Sequence, residues 1–301
     1  MLLSVVIVNF NTNELLRECL ISLLRGYGEE IKSGKFEIIV VDNASNDGST
    51  EMIKQEFEQI KLLVNRQNTG FAKANNLGIK KTAGHYVLLL NPDTVVPKKT
   101  LTFMVDYMDN HPHTGVSTCK VLLANGEVDD ASHRGFPTPW RALTHFTGLS
   151  RLFPTSRFFN GYHLGYQNMD RPHEIDAGVG AFLLIRRSAG QAVGWLDEDY
   201  FWYGEDLDLC YKIKQNGYRV MYVPTVEILH HKGAASGIKP HSRQISKADQ
   251  KTRLMATQAR FEAMRIFYQK HYRKIYPQWL TAVVLLGIRL KKFLAELTLL
   301  A

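Results

Sequence analysis

The chain has 301 residues, of which 45% are hydrophobic and 22% charged, enough apolar material for a sizeable core and a balance that excludes a disordered protein. Its net charge of +8 is uneven: residues 239–292 carry thirteen Lys/Arg against two acids, leaving the rest near −3. Three scattered cysteines, Cys19, Cys119 and Cys210, argue against a disulfide framework or a cysteine zinc site and fit a reducing, cytoplasmic compartment.

"LSVVIVNF" (3–10) reads as a β-branched strand, not a leader, because no basic stretch precedes it. Leu15, Leu16, Cys19, Leu20, Leu23 and Leu24 then recur at helical spacing. "FEIIVVDNAS" (36–45) predicts a second strand, "DGSTEMIKQEF" a helix starting at Ser49, and "IKLLVN" (60–65) a third strand. "GFAKANNLGIKKTAG" predicts a helix closed by Gly84, followed by a fourth strand, "HYVLLLN" (85–91). Such alternation predicts βαβ crossovers and an α/β domain with a mostly parallel sheet covered on both faces. Ligands of these sheets collect beyond the carboxyl ends of the strands. Asn9/Asn11, Asp42 to Asp47, Asn65/Asn68 and Asn91 to Asp93 all fall there.

Residues 125–175 are rich in Gly, Pro, His and aromatics and read as a loop-rich insertion able to order on substrate binding. "IDAGVGAFLLIRR" (175–187) resumes strand character, and the segment after it predicts a helix ending near Gly217 and then one or two strands. A long helix starts at Ser246, with Ser246-x-x-Asp249 as its cap. In residues 279–301 the apolar run Leu280–Ile288 is about half a membrane span and is stopped by Arg289, Lys291 and Lys292. With the cations before it, this segment reads as an interfacial amphipathic helix on an anionic leaflet. The alternative is a helix packed on the body or in a homodimer.

Several turns carry chemistry. Asp42 follows a strand directly, where a carboxylate can accept from a base N–H or a ribose hydroxyl, although Asp, Asn, Ser and Gly also simply make turns. Lys73, on the opening turn of its helix, is placed to meet a phosphate. Asp93 ends the fourth strand. A hard cation such as Mg2+ takes one or two carboxylates plus substrate phosphates, so one acid and a diphosphate suffice. A neutral imidazole from His230 or His231 would add a ligand. Glu205, Asp206 and Asp208 open a helix, where acids are favoured by the dipole alone. They also follow "YFWY" (200–203), whose rings, Trp202 among them, make a wall for a sugar beside a general base. No G-x-G-x-x-G or G-K-[ST] occurs, which argues against dehydrogenases and P-loop ATPases.

In order, "SVVIVNFN", "VVDNASNDGS", "NTGFAKANNLG", "LLLNPDT", "GVGAFLLIRR", "GWLDEDYFWYGEDLDLCYKI" and "GYRVMYVPTVEILHHKG" resemble the family 2 glycosyltransferases, above all the rhamnosyltransferase-like enzymes of bacterial polysaccharide assembly. The resemblance spans residues 3–235. It implies a GT-A fold, a Rossmann-like α/β domain over 1–238 with a nucleotide-sugar half (1–125) and an acceptor half (126–238), followed by a basic helical extension (239–301). It implies inverting transfer of a sugar from a nucleotide donor, such as dTDP-rhamnose or a UDP-hexose, to a hydroxyl of a glycan or lipid-linked acceptor. By position, Asn9, Asn11, Asp42 and Asn43 would hold the nucleoside. Asn68, Gly70, Lys73 and Asn91 would line the donor. Asp93, with His230 or His231, would hold Mg2+ or Mn2+. Asp206 would be the base and Glu205 would orient the acceptor, whose side Gly178, Gly180, Ala181 and Trp202 would shape. Asn91 stands where the family's D-x-D element has its first acid, so this loop supplies one charged ligand. The competing readings are a nucleotidyltransferase, although "VNFNTNELL" lacks a Gly-rich basic loop, and a non-catalytic nucleotide-sugar-binding protein at a membrane. Nucleic acid is not an expected partner, since no recognition motif accompanies the basic helix.

Overall fold

A computed structural model describes residues 1–233 and 248–300. Its first half alternates as the sequence predicts: β1 (Leu3–Asn9), α1 (Asn13–Lys32), β2 (Phe36–Asp42), α2 (Ser49–Glu56), β3 (Lys61–Val64), α3 (Phe71–Ile79) and β4 (Tyr86–Leu90). Next come β5 (Thr94–Val95), α4 (Thr100–Asn110), β6 (Thr114–Leu123), α5 (Pro139–Phe146), α6 (Leu149–Leu152), β7 (His173–Ile175), β8 (Phe182–Arg186) and α7 (Arg187–Ala192). The chain continues with α8 (Glu205–Gln215), β9 (Arg219–His230), α9 (Gln250–Phe267), a π-helical turn (Tyr268–Tyr272) and α10 (Gln278–Leu300).

The strands form one sheet in the order β3-β2-β1-β4-β8-β6-β9-β5, with β7 also paired to β9. β3, β2, β1 and β4 are parallel, and β6 and β9 are parallel to each other. β8 enters antiparallel between β4 and β6, and β5 and β7 lie antiparallel on β9. The chain leaves β1 toward β2 on one side and returns to β4 on the other, which opens a crevice at the ends of β1 and β4. The continuous apolar runs follow from burial on both faces. Val5, Ile7, Leu88 and Leu90 enter one core, while Val6, Val87 and Leu89 enter the opposite one.

Three expectations change. The second strand stops at Asp42, because Asp42 turns the chain by accepting from Ser45 N at 2.9 Å. α3 stops at Ile79, and Gly84 serves a different end: a Cβ there would meet the backbone nitrogen of Ser4 at 2.7 Å. Residues 125–175 are more than loops, since they include α5, α6 and β7. Arg141 and Asp176 tie this insertion down at 2.7 Å, and Phe136 packs edge-on against Tyr211 of α8.

α9 is capped by Asp249, whose side chain accepts from Thr252 N; Ser246 and the 238/239 boundary lie outside the described residues. The C-terminal arm docks on α8 and the segment before it. Phe267, Tyr268 and Tyr272 pack with Tyr200, Leu207 and Tyr211, and His271 Nε2 lies 2.7 Å from Asp208. Among the described residues no helix is long and apolar enough to cross a membrane.

Candidate active site

The carboxyl edge of β1 and β2 carries a braced turn. Asn9 Nδ2 donates to Asp42 Oδ2 (2.8 Å) and Ser45 Oγ (3.0 Å), and Thr12 Oγ1 donates to Asn9 Oδ1 (2.7 Å). Asn11, held at a left-handed φ of +55°, accepts from Asn46 N. Asp47 accepts from Asn13 N at 2.8 Å, satisfying an orphan donor at the start of α1. Asn43 joins the next loop: its amide donates to Asn68 Oδ1 (2.8 Å), and its carbonyl oxygen accepts from Thr69 N and Asn65. Asn9, Asp42 and Asn43 are buried, and their side chains are hydrogen-bonded within these turns: Asn9 and Asp42 to each other and to Ser45, Asn43 to the 65–70 loop. They set the shape of the turns that border the crevice.

Gly70 is required by two facts. Its φ is +86°, and a Cβ would lie 2.7 Å from the Phe201 carbonyl oxygen, which receives Phe71 N. This contact joins the α3 loop to "YFWY". Lys73 stands exposed on the first turn of α3. Phe201 is partly exposed, Trp202 stacks on Tyr203 with 5.8 Å between centroids, and Tyr200 turns inward to the arm.

Beyond β4, Asp93 is buried with its Oδ1 3.2 Å from His230 Nε2, and Asn91 Nδ2 lies 3.4 Å from the same nitrogen. His231 donates its backbone N–H to the Asp93 carbonyl, but its ring faces Glu18 at 3.6 Å. The structure thus brings His230, and not the His231 ring, to the Asp93 carboxylate. Behind His230 stands Asp129, whose Oδ2 is 3.5 Å from Nδ1 and whose Oδ1 is paired with Lys232. The two carboxylates outweigh burial and push His230 up to about 9. Burial alone would raise Asp93 and Asp129, but His230 holds both well down, helped at Asp129 by Lys232. Asp93 Oδ1 is a hard donor of the kind a divalent cation takes together with substrate phosphates, and His230 would join it only by giving up its Nε2 proton; among the described residues no group of three His, Cys, Asp or Glu side chains could hold a cation by itself. Asp129 is the carboxylate behind that imidazole, in the position of an outer partner that would orient it. His230 Nδ1 and Asp129 Oδ2, both buried and without a well-formed hydrogen bond, leave that pairing unfinished.

At the start of α8, Asp206 Oδ2 accepts from Arg134 (2.9 Å) and Gly180 N (3.2 Å), while Oδ1 accepts from Leu207 N. Arg134 also donates to the Gly178 carbonyl. Gly178 itself is closely packed, since a Cβ there would touch Leu183 and Thr118 at 3.0 and 3.2 Å. The next residue after Gly180, Ala181, gives its carbonyl to Asn91 N at 3.2 Å. Residues 180 and 181 therefore bridge the Asp206 and Asp93 loops. Glu205 is buried, and its Oε2 has no hydrogen-bond partner. Burial, then the neighbouring Asp206 charge, pushes it up to about 8, so it keeps its proton at neutral pH. Two adjacent carboxyls are thereby divided into a neutral donor and an ion-paired acceptor.

The residues that sequence reading missed are Arg134, Asp129 and Lys232. No local pattern marks them, and the "HRGF" and "EVDD" stretches that hold the first two lie in the insertion. A separate cavity of about 510 Å3 opens at the other end of the sheet, lined by His85, Asp109, Arg186 and Arg187 among others. Its guanidinium groups are spent on carbonyls of Thr114, Met108 and Gly84, and none of the candidate site residues line it.

A sheet of this order, with polar turns along one edge and an acidic helix start facing them, is the GT-A fold of glycosyltransferases. A structure of residues 1–349 of S. aureus TarS matches 91% of this chain and 74% of its own at 17% identity and a TM-score of 0.55. The mannosyltransferase PcManGT of Pyrobaculum calidifontis, solved with GDP-Man and Mn2+, matches 99% of this chain and 72% of its own at 17% identity and a TM-score of 0.57. The model of glycosyl transferase family 2 matches residues 4–170, and the chain belongs to that family. It is 30% identical over 218 residues to the N-acetylglucosaminyl-diphospho-decaprenol L-rhamnosyltransferase of Mycobacterium tuberculosis, covering 68% of this chain and 69% of that one. It is 26% identical over 176 residues to rhamnosyltransferase WbbL of Escherichia coli K12, covering 54% and 61%. The chain is thus an inverting, rhamnosyltransferase-like glycosyltransferase.

Proposed function

We propose that this enzyme moves a deoxyhexose or hexose, from dTDP-rhamnose or a UDP-sugar, to a hydroxyl of a lipid-linked or glycan acceptor. The observation that carries this reading is the Asp206 carboxylate, joined through Gly180 and Ala181 to the Asn91–Asp93 loop, so that a base and a diphosphate site share one crevice. The rhamnosyltransferase relatives support the donor.

Asp206 takes the proton of the acceptor hydroxyl, whose oxygen attacks the anomeric carbon as the bond to the diphosphate oxygen breaks. Arg134 and two backbone amides hold that carboxylate in place. Protonated Glu205 donates to an acceptor oxygen, and Trp202 offers a stacking wall. The turns at Asn9, Asn11, Asp42 and Asn43 frame the nucleoside, while Asn68, Gly70 and Lys73 follow the diphosphate. Asp93 and His230 would hold Mg2+ or Mn2+, which supplies charge neutralisation for the nucleoside diphosphate leaving group. The nucleotide half ends near residue 125 and the acceptor half begins with the insertion that provides Arg134. The arm brings the enzyme to the inner face of the cell membrane.

A donor screen tests this: purified protein, Mg2+ or Mn2+, a panel of nucleotide sugars and acceptor lipids, with nucleoside diphosphate release as the readout. Release from dTDP-rhamnose alone supports rhamnosyl transfer, and release only from UDP-hexoses moves the assignment to hexosyl transfer. Absence of release from every donor refutes it.

A further inference from the structure

We infer that the outer face of α10 and the α5–α6 stretch of the insertion form one docking surface for an anionic bilayer, beside the acceptor side of the site. The inference deepens the proposed lipid-linked acceptor and rests on that reading for its link to catalysis.

α10 has two apolar faces. Val284 and Leu285 face the arm's aromatic cluster. On the outer side, Trp279, Val283, Leu286, Leu290, Phe293 and Leu297 follow one another at intervals of four and three residues and are 48–69% exposed. A second apolar patch lies on the insertion, where Leu143, Phe146, Leu152, Phe153 and Phe158 are 46–72% exposed. The two patches meet, because Lys291 Nζ sits 4.1 Å from the centre of the Phe146 ring. Burial and then His163 hold the pKa of His145 down at this seam, with Arg151, Arg260 and Lys291 adding to them. Apolar patches of this extent on a folded chain mark an interaction site.

Charge selects the occupant. On α10 Arg289, Lys291 and Lys292 face a single acid, Glu296, which is engaged by Gln258 and Lys292. A cationic rim around exposed apolar side chains complements anionic headgroups over acyl chains. The outer stripe of α10 would also suit a helix of a second copy, but that pairing would leave the insertion patch uncovered and set like charges together. A planar bilayer covers both patches at once. The insertion also connects this surface to the chemistry: Arg134 reaches Asp206, Thr138 caps α5 and Arg141 pins the segment to Asp176. An acceptor anchored in the bilayer would then present its sugar hydroxyl where Asp206 waits.

The test is co-sedimentation of the full chain with phosphatidylcholine vesicles, with and without phosphatidylglycerol. The variants are Leu143→Ser/Phe146→Ser/Leu152→Ser and Leu286→Ser/Leu290→Ser/Phe293→Ser. The native chain is expected on the anionic vesicles, less so at high salt, and each triple variant should partition on the order of a hundredfold more weakly. Nucleoside diphosphate release to a soluble acceptor should be unchanged in both, so a failed donor assignment is read separately. Matching circular dichroism and melting show that the variants fold, and Arg151→Glu/Lys291→Glu provides a second, charge-based loss if either triple does not. Wild-type binding by the insertion variant overturns the shared surface. Failure of the native chain to bind anionic vesicles, or a dimer that the α10 variant converts to monomer, overturns the bilayer as occupant.

Discussion

Glu205→Gln separates the cost of the site from its use. Glu205 is 5% exposed with an unpartnered oxygen, and it titrates near 8 in the fold instead of the ordinary 4.5. Between these values the folded chain holds a proton that the unfolded chain releases, so stability falls as pH rises through the window. Below about pH 4.5 both states are protonated and the penalty vanishes. At about 1.4 kcal/mol for each pH unit, the penalty grows by on the order of 3 to 4 kcal/mol between pH 5 and pH 8. A glutamine has nearly the same shape and no proton to lose. Urea unfolding of both proteins at pH 5, 6.5 and 8 should show similar stability at pH 5 and a growing advantage for Glu205→Gln toward pH 8. Comparing the two proteins cancels the contributions of other groups. The variant should also lose turnover, having exchanged a carboxylic acid donor for a weaker amide. Parallel pH profiles, or a variant less stable at pH 8, would refute the reasoning.

Asp206→Asn should lower turnover roughly a thousandfold while leaving nucleoside diphosphate affinity nearly intact, and near-normal turnover would remove Asp206 from the mechanism. His230→Gln should weaken Mn2+ binding to the enzyme–nucleoside diphosphate complex by about 10- to 100-fold in calorimetric titration, whereas His231→Gln should change it little. The reverse ranking would move the ligand to His231. Gly70→Ala must strain a left-handed backbone and displace Phe201, at a cost of about 1–3 kcal/mol in chemical denaturation, with a raised donor KM. Unchanged values for both would mean that the loop relaxes freely.

β1, β2 and β4 are legible because a buried parallel strand must be apolar on both faces, whereas β3, an edge strand with exposed ends, is marked only by its short apolar centre. "SVVIVNF", "FEIIVV" and "YVLLL" leave little choice. Their polar exits are legible for the same reason, since every such run must stop at a group that water or a ligand can satisfy. The insertion is harder to read. Its helices are short, and their amphipathic signal is hidden among Pro, Gly and aromatics. Arg134 and Asp129 acquire their roles only when Gly178, Asp206 of α8 and His230 of β9 are brought against them, 44 and 72 residues on for Arg134 and farther still for Asp129.

Sequence by itself determined the α/β class, the acidic and amide-rich turns, the Glu205–Asp206 pair and the basic, apolar C-terminal segment, because each depends on residues close together in the chain. Tertiary structure decided which of two histidines reaches Asp93, which cation grips Asp206 and which face of α10 stays uncovered. Those outcomes depend on side-chain direction and on partners from distant strands: His230, the last residue of β9, turns its ring to Asp93, and one step beyond the strand the His231 ring turns to Glu18.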